Sequence, residues 1–289
     1  MKLLIAVDSA LSTEVLVDAV EVRPWPEGTS AHVLSLIADA DVPEEVWREE
    51  GYGTRAIQRE MEKRGEQITA ASVERLRQIG IPAEVVVARG DARFLIPFYA
   101  RKWSADLIFV RAHVRKDVFH WMLGSVARAV VEAAPCTVQI VRDATEDQSV
   151  DSPGRVLLAV DGSKISLQAA HAIAARPWSE QSEFRVISVE EPWAMKSRAK
   201  HENAAQNWVS SAAQVLTSAR LKTTGAVLSG KPKDAILEDA KEWAADLIVV
   251  GSHGRRGFRR FLLGSVSEAV AMNAHCSVVV VRAPRKGAT

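Results

Sequence analysis

The chain has 289 residues, enough for two domains of ordinary size, each with its own core. Hydrophobic residues make up 47% and charged residues 25%, a globular composition that argues against disorder. A net charge of +1 supplies no overall field to recruit nucleic acid or anionic membrane, and no apolar run approaches the ~20 residues of a membrane span. Acidic Asp8 cuts the opening apolar patch too short for a signal peptide, and the two cysteines point to a reducing compartment without disulfides. The expectation is a soluble, cytoplasmic protein.

The chain opens on an apolar run, Leu3 to Val7, closed by Asp8-Ser9. Arg23-Pro24-Trp25 and Val33 to Ser35 follow, and then a polar segment, residues 38–63. Later come "WSADLIFV" (103–110), "RAHVRKDVFHWMLGS" (111–125) and "CTVQIVR" (136–142). After the acidic stretch "DATEDQSVDSPG" (143–154) the order repeats. Val156 to Val160 ends on Asp161-Gly162, Arg176-Pro177-Trp178 matches the earlier triplet, and "WAADLIVV" (243–250) and "CSVVVVR" (276–282) match the later runs. Between 103–142 and 243–282, 19 of 40 aligned positions are identical, which marks a duplicated domain and not a solenoid of short units. The first copy is the longer one, and its extra residues fall within 38–63. The two domains are set at 1–143 and 154–284, with the linker between them.

In the second copy the apolar runs predict strands near 155–160, 184–189, 226–228, 246–250 and 276–282. Helical patterns fill about 163–175, 198–220, 232–244 and 265–274. The strands are apolar throughout, as in a parallel sheet covered on both faces. The fold class is therefore α/β: two tandem doubly wound domains, each a five-stranded parallel sheet flanked by helices. Ligands of such sheets bind at the carboxyl ends of the strands, where the strand order reverses.

"GSHGRRGFRRFLLGS" (251–265) follows the fourth strand of the second copy. Gly251 and Gly254 suit a turn with positive φ and a nest of main-chain N–H groups, and Gly264-Ser265 opens a helix whose free N–H donors attract anions. The four arginines between them, Arg255 first, add positive charge. The plainer alternative is a turn, a solvated arginine face, and a capping box made by Ser265 and Glu268 that needs no ligand. Spacing alone slightly favours that alternative.

Gly251-x-x-Gly254, nine residues, then Gly264-Ser265 resembles the signature of the universal stress protein family, and so do the opening "LLAVDGSKIS" and the Gly-Ser-His-Gly passage. Both copies fit, so the resemblance covers nearly the whole chain. It implies the universal stress protein fold, related to that of adenine nucleotide α-hydrolases, and an ATP-binding site in the second copy. The residues implied are Asp161, Gly162, Ser163, Val189, Gly251, His253, Gly254, Arg255, Gly264, Ser265 and Val266. The ligand implied is ATP or another adenine nucleotide, with Mg left open as its counter-ion. The function implied is stress response or signalling. Slow ATP hydrolysis and a non-binding dimerisation module are the alternatives.

The first copy keeps Asp8, Gly124 and Ser125 but has Arg111 and Val114 where the first two glycines belong. A β-branched residue is a poor fit to positive φ, and Arg111 would fill the phosphate position or bind another anion. This copy is therefore expected to serve structure or partner recognition, with a shifted, still functional site as the alternative. His113 and His253 read as loop packing or a phosphate-adjacent hydrogen bond, Cys136 and Cys276 as small buried hydrophobes, and Trp103 and Trp243 as core or helix–sheet packing. No catalytic pair and no metal cluster is evident. The fifth strand of each copy is an apolar edge that needs a cover. The two edges are expected to pair within the chain, with homodimerisation through other surfaces left open, and neither nucleic acid nor membrane as a partner.

Overall fold

The computed structural model describes residues 1–23, 25–37, 55–112, 123–142, 154–191, 203–254 and 263–283. The first repeat comprises β1 (Lys2–Val7), α1 (Ala10–Glu21), β2 (Ser30–Ile37), α2 (Arg55–Gln78), β3 (Ala83–Arg89), α3 (Ala92–Trp103), β4 (Leu107–Arg111), α4 (Ser125–Ala133) and β5 (Thr137–Val141). The second comprises β6 (Arg155–Ala159), α5 (Lys164–Ala174), β7 (Glu183–Glu190), α6 (Ala204–Ser218), β8 (Lys222–Ser229), α7 (Pro232–Glu242), β9 (Leu247–Gly251), α8 (Ser265–Asn273) and β10 (Ser277–Val281).

The ten strands form one sheet in the order β3-β2-β1-β4-β5-β10-β9-β6-β7-β8. Each repeat is a parallel five-stranded half in which the first strand lies between the second and the fourth, the doubly wound arrangement the sequence implies. The halves meet where β5 and β10 pair antiparallel, with Gln139 opposite Val279 at the centre of the register. Those two residues occupy equivalent positions in the repeats, so an approximate two-fold axis passes between them.

On one face, α3, α4, α7 and α8 cover a single core that crosses the seam, drawing Ile96, Val130 and Val131 together with Ile236, Val270 and Ala271. On the other face the cores are separate. Leu16, Val17, Val20 and Leu76 pack against the first half, and Ala169, Ile173, Val209 and Leu216 against the second. The alternation of β5 and β10 divides these faces: Val138 and Ile140 join the shared core, while Val141 and Val279 join the separate ones.

Two arginines tie the repeats reciprocally. Arg142, just past β5, donates to the carbonyls of Ala271 at 2.7 Å and Cys276 at 3.0 Å. Arg282, just past β10, donates to the carbonyls of Val131 at 2.6 Å and Glu132 at 2.8 Å. Each guanidinium reaches at least one carbonyl in the last turn of the other repeat's helix, where unpaired acceptors and the negative end of the dipole favour a cation.

The structure revises several expected bounds. The third strand of the second repeat runs over Lys222–Ser229, longer than 226–228, because all eight residues pair with β7. As an edge strand it carries polar residues, Lys222, Thr223 and Thr224, and so lacks the apolar run that marks an inner strand. The second helix of that repeat spans 204–218 and not 198–220; residues 198–202 of the expected span lie outside the described residues. Within the long 38–63 segment, residues 55–63 belong to α2, which has 24 residues against 15 in α6.

Candidate functional site

The chain leaves β6 at Ala159 and turns through Asp161-Gly162-Ser163 into α5. Ser163 caps this helix, accepting from the Ser166 N–H at 3.2 Å, while its own N–H donates to Asp161 Oδ1 at 3.0 Å. These bonds fix the Asp161 carboxylate at the top of the sheet. Gly162 turns the chain at φ +77°, a conformation that glycine adopts without steric cost. Above it lies an aromatic ring: a Cβ placed on Gly162 would stand 2.4 Å from Trp208 Cε2.

Next to β6 lies β9, and the chain leaves it at Gly251. Neither Gly251 nor Gly254 has positive φ, so the expected conformational reason for these glycines does not hold. Space is the reason instead. A Cβ at Gly251 would meet Ile165 Cγ2 at 2.9 Å, and one at Gly254 would meet Asp161 Oδ2 at 2.7 Å. The loop after β9 therefore sits directly against the loop after β6, at the point where the strand order reverses.

The start of α8 is stitched to the same loop. Gly264 N–H donates to the Ser252 carbonyl at 2.8 Å, and Ser267 Oγ donates to the Gly251 carbonyl at 2.5 Å. A Cβ at Gly264 would approach the Ser252 carbonyl to 3.3 Å. The expected capping box is absent. Gly264 is the N-cap residue, with no side-chain bond to the helix, and Ser265 is the first helical residue, its side chain exposed. Glu268 accepts instead from Arg128 of the other repeat at 2.8 Å. The first turn of α8 thus keeps its N–H groups clear of any side-chain cap.

His253 lies in this loop with Nδ1 3.1 Å from Ser252 Oγ, and its Nε2 is buried without a hydrogen-bond partner among the described residues. Burial, and then the Arg282 charge, hold its pKa below the ordinary value, so the ring is neutral at pH 7. The loop thus brings Asp161, Gly162, Ser163, Gly251, His253, Gly254 and Gly264 together, with Ser265 and Val266 following on α8. Val189 stands near the end of β7, paired with Leu228. Arg255, His113 and Val114 lie outside the described residues. Trp208, Ile165, Ser252 and Ser267 were not singled out by sequence reasoning for this site. A helix-spaced tryptophan or isoleucine reads as core, and the partners that give them a place here lie far along the chain.

In the first repeat, Arg111 ends β4 opposite Val141, and Gly124 is the N-cap of α4, again without a side-chain cap. Ser9 donates to Asp8 Oδ1 at 3.1 Å, so the carboxylate at the end of β1 is also held by its own turn.

A sequence profile of the universal stress protein family matches residues 1–142 and again 153–282. The chain belongs to the universal stress protein family. A universal stress protein of Methanocaldococcus jannaschii is 35% identical over 143 residues, covering 46% of this chain and 84% of that protein. One from Mycolicibacterium smegmatis is 33% identical over 193 residues, 62% of each chain. A solved universal stress protein from Archaeoglobus fulgidus superimposes with a TM-score of 0.69 at 23% identity, covering 97% of this chain and 98% of that one, which establishes the shared fold. Among the described residues, no helix is long and apolar enough to cross a membrane and no group of three metal-ligating side chains gathers.

Proposed function

We propose that the second repeat of this universal stress protein binds ATP or a related adenine nucleotide, and that the chain acts as a nucleotide-responsive module in a stress response. One observation carries the reading. Three glycines, Gly251, Gly254 and Gly264, remove side chains where the ends of β6 and β9 meet the uncapped start of α8. Main-chain N–H groups at such a junction, with the positive end of a helix dipole, suit the oxygens of a phosphate group. The fit is to an anion with an adjoining hydroxyl-bearing group, for which the fixed Asp161 carboxylate is the acceptor. In this reading Gly251, His253, Gly254, Arg255, Gly264, Ser265 and Val266 surround the phosphates and ribose, Gly162 and Ser163 shape the turn, and Val189 meets the base.

The first repeat, with Arg111 in place of a glycine, is the structural partner, joined through β5 and β10. The working units are residues 1–143 and 154–284. Calorimetric titration of the full chain with ATP, AMP and cyclic AMP tests the reading. Saturable binding of at least one is expected; no binding of any of the three overturns it.

A further inference from the structure

The Arg-Pro-Trp triplet occurs once in each repeat, and its two arginines, Arg23 and Arg176, come together near the two-fold axis on the face away from the shared core. Arg23 is only 6% exposed. Its Nη1 donates to Gln139 Oε1 at 2.6 Å, and Gln139 stands at the central register position, where the equivalent residue of the other repeat is Val279. A glutamine that holds a guanidinium thus stands where the other repeat has an apolar side chain. Two donors remain over: Arg23 Nε and Gln139 Nε2 are buried without a hydrogen-bond partner among the described residues. The Arg176 guanidinium lies buried over the Trp25 ring, 5.3 Å from its centroid, while the residue as a whole is half-buried.

No carboxylate among the described residues pairs with either arginine. Burial, and then the charge of Arg176, push the Arg23 guanidinium down to about 9; burial pushes Arg176 down to about 10. The seam arginines Arg142 and Arg282 also keep a buried Nε without a partner among the described residues. Their Nη groups, however, bind backbone carbonyls at or near helix ends, which Arg176 does not do. A water molecule would satisfy the leftover donors and leave the two charges unbalanced. A group with acceptors on every side and negative charge answers both needs.

We propose that Arg23, Gln139 and Arg176 form a binding site for a small oxyanion of the phosphate, sulfate or carboxylate class, built from both repeats at their seam. Arg176, the more exposed of the pair, is the entry side. The site is independent of the nucleotide loop and exists only when the halves are joined.

Thermal melting of the full chain, at one ionic strength set with chloride and then with inorganic phosphate, tests the proposal. Phosphate at about a hundredfold its dissociation constant is expected to raise Tm by on the order of 5 °C over chloride. Gly254→Val is expected to keep the rise, because the nucleotide loop is not the site. Arg176→Met is expected to lose it, yet to melt in chloride no lower than the parent, since removing an unbalanced charge from a buried place costs little. Sulfate and acetate in place of phosphate separate tetrahedral from planar ligands. Three results would each overturn the site: no rise in the parent, a rise undiminished in Arg176→Met, or a rise lost in Gly254→Val. If Arg176→Met does not fold, calorimetric titration of the parent decides: one saturable phosphate per chain is expected with nucleotide pre-bound, and none contradicts the proposal.

Discussion

Gly162 shows how one residue couples backbone, packing and site. Its φ of +77° and the Trp208 ring beside it leave no room for a side chain. Gly162→Ala is expected to cost about 1–3 kcal/mol, from a strained φ and a displaced indole, and to weaken nucleotide binding by moving Asp161. Urea denaturation reads the first effect, and an unchanged midpoint would contradict it. The histidines give a second residue-scale prediction. His32, His253 and His275 are all held below their ordinary value, in each case chiefly by burial. The unfolded chain therefore binds more protons than the folded one below pH ~6.5, and stability falls as pH drops through that region. The urea midpoint at pH 5.5 should lie below that at pH 7.5, and by less in His253→Gln. Equal midpoints at the two values would show that these rings charge freely in the fold.

What the sequence told at this scale was the spacing of the glycines, not their reason. Positive φ was the natural expectation at Gly254, yet the constraint is the Asp161 oxygen 2.7 Å from where a Cβ would stand. That partner belongs to another strand end, and no local pattern announces it. Ser265 and Glu268 have the spacing of a capping box, but Glu268 is drawn to Arg128 across the seam. A tertiary ion pair overrode a local motif.

Among the elements, inner strands were legible because both of their faces are covered, which demands apolar residues in succession; β6, β9 and β10 fall within a residue or so of their expected bounds. The edge strand β8 was not, since one of its sides meets solvent. Helix ends at the seam carry a further prediction. Arg282 supplies donors to the carbonyls of Val131 and Glu132 at the end of α4. Arg282→Met removes them and leaves part-buried acceptors unpaired, at a cost of about 1–2 kcal/mol. Arg142→Met should cost a similar amount, because Ala271 and Cys276 lose the same service. Chemical denaturation of each variant checks this; a loss below ~0.5 kcal/mol in both would mean that the reciprocal clasp is not what secures the seam.

At the scale of the whole molecule, duplication explains most of the architecture. Two copies of one fold, joined through equivalent strands, generate an approximate two-fold axis, one core that crosses it and two that do not. Joining the copies in one chain also frees them to diverge. The first copy has exchanged a glycine for Arg111, while the second keeps three glycines packed at the ends of β6, β9 and α8. The central claim is that this divergence leaves one adenine-nucleotide site per chain.

Equilibrium dialysis of ATP against the 289-residue chain and its Gly254→Val variant tests that claim most directly. The parent should bind one nucleotide per chain. In the variant a side chain at 254 would push Asp161 aside, and the loss of about two hydrogen bonds at ~1 kcal/mol each should weaken affinity by about 30-fold, with the fold intact by circular dichroism. Two nucleotides per chain in the parent, or one bound to the variant at undiminished affinity, would contradict the account.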